Sequence, residues 1–297
     1  MWFNGFMTVI DMALARQAHP LLMRYRDALV LGCFREDVWF VGGINAVVQN
    51  PSLSHFCRAG VRGGFIPWLT PDAGARTEKL ARRALREFSQ ERIASAMVQL
   101  GRALHPLVDM ACPVHAQGVA HGNDPFEWCV EAMAEELRGL PASAESYARF
   151  ADVTRGMARH AQGFRIAHAR AHDQARRLIP LAAGHAAALF EIFIANISED
   201  ARTATDADPL KETLPALEMS ERGLSRWFLQ LDAFCRCHGG RRHYAQMLDL
   251  IGAIAAGSRG SIDSARDIAD GSPLRSCRTV ARRPWQRLQR RSLTPGQ

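Results

Sequence analysis

Apolar positions recur at three- and four-residue intervals through most of the first two hundred residues, and the stripes they draw predict helices. Over residues 2–15, Phe3, Phe6, Val9, Ile10 and Ala13 share one face. A second helix is expected over 20–34, entered at Pro20 and running through Gly32. Two more follow over 72–88, capped by Asp72, and over 90–112, where Ile93, Met97, Leu100, Leu104 and Leu107/Val108 form the core stripe. Pro106 should kink that last helix, because it removes the hydrogen bond to the Arg102 carbonyl. Further helices are expected at about 127–138, 144–161, 163–178 and 180–197. Asp124-Pro125-Phe126-Glu127 marks the first of these starts with a cap residue, a first-turn proline and a capping-box glutamate.

Residues 35–71 lack this period. Gly42-Gly43, Asn50-Pro51, Gly60, Gly63-Gly64, Pro67 and Pro71 punctuate a long loop, and Trp39, Phe40, Phe56, Phe65 and Trp68 argue that it is ordered. Past residue 197 the chain becomes polar over 198–220, recovers two helical stretches within 221–256 around Gly239-Gly240, and then loses periodicity. The pattern predicts an all-α fold: a helical domain at 1–197, a linker and helical extension at 198–270, and a disordered basic tail at 271–297.

Composition changes this picture in two places. The net charge of +7, from 37 basic and 30 acidic residues, resides in the tail, whose seven arginines and no acids leave the rest of the chain neutral. The body is therefore not built to bind a polyanion, and the tail, with Trp285 and Leu288, has an anionic lipid surface as an alternative to disorder. Seven cysteines in no scaffold-like spacing argue against a disulfide framework and for a reducing compartment. No signal peptide is visible, no apolar run approaches the roughly 20 residues of a spanning helix, and localisation and oligomeric state stay open.

Candidate chemistry centres on Gly101–His115, GRALHPLVDMACPVH. His105 and Asp109, at i and i+4, stack on one helix face, where an imidazole and a carboxylate can share a metal ion. Gly101, one turn earlier, is expected to leave room for that ion. Asp37 in FRED, His55 in SLSHF, His115, His121 in QGVAHGND and Glu127 add imidazoles and carboxylates in number sufficient for two or three ions. Asp124 is an alternative ligand. His168 and His172, also at i and i+4, and the Cys235, Cys237, His238 and His243 group are weaker metal candidates, lacking a third ligand or a suitable spacing.

The segments SLSHF, LGRALHPLVDMACPVHA and DPFEWCVE resemble the zinc-dependent phospholipase C family, an all-α fold with a trinuclear zinc cluster shared by single-strand-specific zinc nucleases. The family order is a loop Asp, a His, then H-x3-D-x5-H and H-x3-E, and it is met by Asp37, His55, His105, Asp109, His115 and, respaced to H-x5-E, His121 and Glu127. The resemblance implies that His55, His105 and Asp109 hold one zinc and that His115, His121 and Glu127 hold a second. Asp109 also reaches a third ion, and Asp37 is the general base. It further implies hydrolysis of a phosphatidylcholine-like phospholipid, at a membrane or micelle surface, to diacylglycerol and a phosphorylated head group. The family's third zinc also uses an N-terminal Trp and a His in the first helix, whose position falls at or before Met1 here, so that two zinc ions are expected and the third site is incomplete. A nuclease of the same fold, or a member impaired by that incomplete cluster, are the alternatives. Glu127 in place of Asp and the neutral body disfavour nucleic acid.

Overall fold

The computed structural model describes residues 3–36, 38–41, 46–49, 53–58, 60–119 and 124–197. Expectations for 198–297, and for Asp37 and His121, lie outside the described residues. Within them the fold is all-α, with one small hairpin added.

The centre of the fold is α5 (Ile93–Asp109), whose apolar stripe is buried throughout. It lies between α3 (Arg26–Arg35) and α4 (Ala73–Ser89). Two glycines set how closely α3 approaches. A Cβ on Gly32 would collide with the Val98 carbonyl, and one on Gly101 with the Leu29 carbonyl. Gly101 therefore makes room for the backbone of α3, not for an ion. On the other side, Asp72 caps α4 through the Ala75 N–H, as expected, and Thr77 bonds the Ala103 carbonyl and Thr154, tying α4 to α5 and to α9 (Phe150–Gln162).

Helix α1 (Phe3–Gln17) buries Phe6, Val9, Ile10 and Ala13, the stripe read from the sequence. The amides of Asn4 and Gly5, in its first turn, donate to Glu131 Oε2 at 2.9 and 3.3 Å, so the start of α1 is satisfied by a carboxylate of α7 (Pro125–Ala132). The predicted second helix is divided at Tyr25 into α2 (Pro20–Arg24) and α3. After α5 come a single turn α6 (Pro113–Ala116), then α7 and α8 (Ala134–Arg138).

Three expectations are corrected. Helix α5 runs from Ile93 to Asp109 with Pro106 inside it, shorter at both ends than the expected 90–112. The stretches 163–178 and 180–197 are largely one helix, α10 (Ala171–Ala195), which runs through Pro180. An interior proline costs about 3 kcal/mol, and burial of α10 against α1, α7 and α9 exceeds that. This Ala-rich helix is long and apolar enough to cross a membrane by composition, but most of that stretch is buried inside the protein. Third, residues read as loop form β1 (Val38–Val41) and β2 (Ala46–Gln49), paired antiparallel from Val38↔Gln49 to Val41↔Ala46. The β-branched and aromatic residues of VWFV and AVVQ, separated by Gly-Gly-Ile-Asn, were the available signal.

The loop at 60–70 is ordered, as its aromatics suggested. Gly64 N–H donates to the Thr70 carbonyl at 2.8 Å, Phe65 N–H to that of Leu53 at 2.8 Å, and Trp68 N–H to that of Arg62 at 2.9 Å. Trp68 takes φ +66°, a left-handed conformation unfavourable for a bulky residue, and its side chain is 78% exposed beside Leu69 at 76%.

Candidate metal centre

Two parts of the chain bring the first candidate ligands together. Helix α5 carries His105 and Asp109 on one face, and the segment before α4 delivers His55 onto them. Asp109 Oδ2 lies 3.2 Å from His105 Nε2 and 3.0 Å from His55 Nδ1, and all three residues are buried. Ligand atoms of this trio fall within 4.8 Å of one another. Tetrahedral zinc with bonds of 2.0–2.1 Å separates its ligands by about 3.3 Å, so the donor set fits the ion in type and spacing.

The surrounding backbone fixes which ring atom of each histidine faces the site. His105 Nδ1 donates to the Cys33 carbonyl at 2.8 Å, leaving Nε2 on the Asp109 side. The close α3–α5 approach at Gly32 and Gly101 is what brings that carbonyl within reach. His115, on α6, donates from Nδ1 to the His55 carbonyl at 3.2 Å and turns Nε2 toward Glu127 Oε1, 3.7 Å away. Such outer hydrogen bonds, which set tautomer and ring orientation, are the usual support of metal-bound imidazoles.

His55, His105 and Asp109 thus form one cluster, and His115 with Glu127 an adjoining pair. Asp124 is engaged elsewhere. Its Oδ1 accepts from the Phe126 N–H at 2.9 Å as the cap of α7 and lies 3.6 Å from the Cys112 thiol. Burial, with the charges of Glu127 and Asp124, pushes the Cys112 thiol well up.

The residue that sequence reasoning missed is Glu36. It sits fully buried at the end of α3, ion-paired with Arg76 and with Arg102 (2.9 Å), and places Oε1 3.9 Å from His55 Nε2. Burial alone would raise its carboxyl, but the hydrogen bond toward His55 and the charges of Arg102 and Arg76 lower it to about 2. Glu36 stands behind His55 on the side away from Asp109, where a carboxylate can orient an imidazole. Its only signal in the sequence was adjacency to Asp37.

Two members of the cluster have shifted protonation equilibria. Burial pushes Asp109 upward, yet positive charge around it, that of His105 and His115 included, holds it well below the usual carboxylate range. Burial lowers His55, and its contact with Asp109 and the nearby Glu36 carboxylate outweigh that and raise it.

Aromatic rings wall the site. Phe6 of α1 stacks on His105 with centroids 4.6 Å apart. On the other side Phe56 packs against His115 at 5.2 Å and Phe65 against Phe56 at 5.1 Å, so a continuous stack leads from the ligands to the 60–70 loop. Arg58, above Phe65, donates to the Gly118 carbonyl at 2.7 Å and holds that loop to the segment after α6.

Neither a family model nor a curated protein matches this sequence. Seven solved chains match the structure. One is alpha toxin from Clostridium absonum, with a TM-score of 0.47 and 17% identity over 69% of this chain and 65% of that one. The chain therefore spans just under two thirds of the toxin's length. The reading of the site rests on its side chains and not on this likeness.

Proposed function

We propose that this protein is a zinc-dependent phosphodiesterase of the phospholipase C type, hydrolysing phosphatidylcholine-like phospholipids to diacylglycerol and a phosphorylated head group. The observation that carries the reading is the buried His55–His105–Asp109 trio, joined through the His55 carbonyl to the His115–Glu127 pair. Zinc, when bound there, would neutralise the phosphoryl oxygens and act as Lewis acid. His55, His105 and Asp109 hold one ion, and His115 and Glu127, with His121, hold a second. Asp37 is assigned the general base that takes the proton of the attacking water, and Glu36 keeps the His55 ring in place. Water attacks phosphorus, the bond to the glycerol oxygen breaks, and that oxygen leaves with a proton.

The exposed loop favours lipid over nucleic acid. Ile66, Trp68 and Leu69 face solvent at the end of the Phe65–Phe56–His115 stack, an apolar surface suited to acyl chains and unsuited to a phosphodiester polyanion.

Purified protein loaded in limiting zinc is to be analysed for bound metal and assayed on phosphatidylcholine and single-stranded DNA in parallel. Lipid cleavage abolished by His105→Ala supports the proposal. DNA cleavage without lipid cleavage reassigns the site to a nuclease, and less than about one bound metal with no activity makes this an inert member of the fold.

A further inference from the structure

A second group of metal-ligating side chains lies where the segment 141–149 crosses α9 and α10, and none of its members belongs to the centre described above. Two glycines open the crossing. A Cβ on Gly156 of α9 would collide with the Tyr147 hydroxyl, and one on Gly184 of α10 with Ser143. The segment is fastened there by the Ser143 N–H to the Pro180 carbonyl at 3.0 Å. Beneath it His185, fully buried on α10, donates from Nδ1 to the Leu181 carbonyl at 2.8 Å. Its Nε2 therefore presents a lone pair, 2.9 Å from Tyr147 Oη and 4.0 Å from Glu145 Oε2. His160, from α9, meets His185 edge to face with centroids 5.5 Å apart.

We propose that Glu145, His160 and His185 form a second metal site for a divalent transition ion such as Zn²⁺, bound by two imidazoles and one carboxylate and clamping the 141–149 segment to α9 and α10. One ligand atom from each lies within 4.8 Å of the others. The donor set is of the nitrogen and oxygen type that zinc takes, and the Leu181 carbonyl supplies the outer hydrogen bond that aims a ligand imidazole. His160 is exposed and Glu145 half-buried, so the site opens to solvent and leaves a fourth position for water. The Tyr147 hydroxyl, 3.4 Å from Glu145 Oε2, is a hydrogen-bond partner of the ligands and is displaced toward solvent on binding. Arg159 next to the site works against the ion, so affinity is below that of the buried centre.

The test is metal binding by the full chain, freed of metal by chelation and titrated with Zn²⁺ at equilibrium and with Co²⁺ followed by its visible absorption. Wild type is expected to bind one equivalent more than His160→Ala and Glu145→Gln, both of which change accessible positions and whose folding is checked by circular dichroism. His105→Ala is expected to lose a different equivalent and keep this one, which separates failure here from failure at the buried centre. Tyr147→Phe is expected to retain the equivalent, since it removes a competing hydrogen bond and not a ligand. Equal stoichiometry in wild type, His160→Ala and Glu145→Gln overturns the proposal and leaves a hydrogen-bonded polar cluster.

Discussion

Glu36 shows how much of a single residue's role depends on what surrounds it. Paired with Arg76 and Arg102 and lowered from 4.5 to about 2, its carboxylate stabilises the fold above pH 4.5, and that contribution is lost as pH falls through the folded value near 2. In metal-free protein, Glu36→Gln is expected to cost about 3 kcal/mol at neutral pH. The gap from wild type should close between pH 4.5 and 2, as followed by urea unfolding at each pH; a pH-independent difference contradicts this. The variant should also bind zinc less tightly, through a less well-oriented His55. None of this was legible in the chain, since Arg76 and Arg102 lie 40 and 66 residues away. By contrast, His105 and Asp109 were legible because helical geometry alone stacks i and i+4.

At the scale of elements, the contact between α3 and α5 decides where the His105 ring points. Gly101→Ala places a methyl against the Leu29 carbonyl and forces the helices apart. The expected loss is about 1–3 kcal/mol in denaturant unfolding, with weaker zinc binding as the Cys33 carbonyl retreats from His105 Nδ1. An unchanged midpoint and unchanged zinc affinity would show that the helices have slack. The sequence marked Gly101 as special but not why, because an absent side chain reads the same whether an ion or a backbone occupies the space. Pro180 departs from expectation for a related reason: propensity argues for a break, and packing on several faces overrides it.

For the molecule as a whole, the candidate ligands lie on α5, α6, α7 and the segment before α4, so ions bound by the two groups would tie together parts of the chain that are distant in sequence. Zinc at about a thousand times its dissociation constant should add about 4 kcal/mol. That is about 10 °C in melting temperature for a domain of this size, reversed by chelation and absent in His105→Ala. The exposed loop makes a separate claim. Replacing Trp68 and Leu69 by Ala is expected to weaken binding to phosphatidylcholine vesicles about tenfold or more, while cleavage of a short-chain soluble substrate is unchanged; equal losses on both would place these residues in the site instead. By itself the sequence determined the helical class, most of the apolar stripes and a set of candidate ligand residues, since these follow from periodicity and residue chemistry within short windows. Only the tertiary structure decided that His55 meets Asp109, that Glu36 stands behind it, and that Glu145, His160 and His185 converge. Those juxtapositions depend on how closely segments pack, and at α3–α5 and at the 141–149 crossing the approach is set by glycines whose partners lie on other segments of the chain, which no local pattern records.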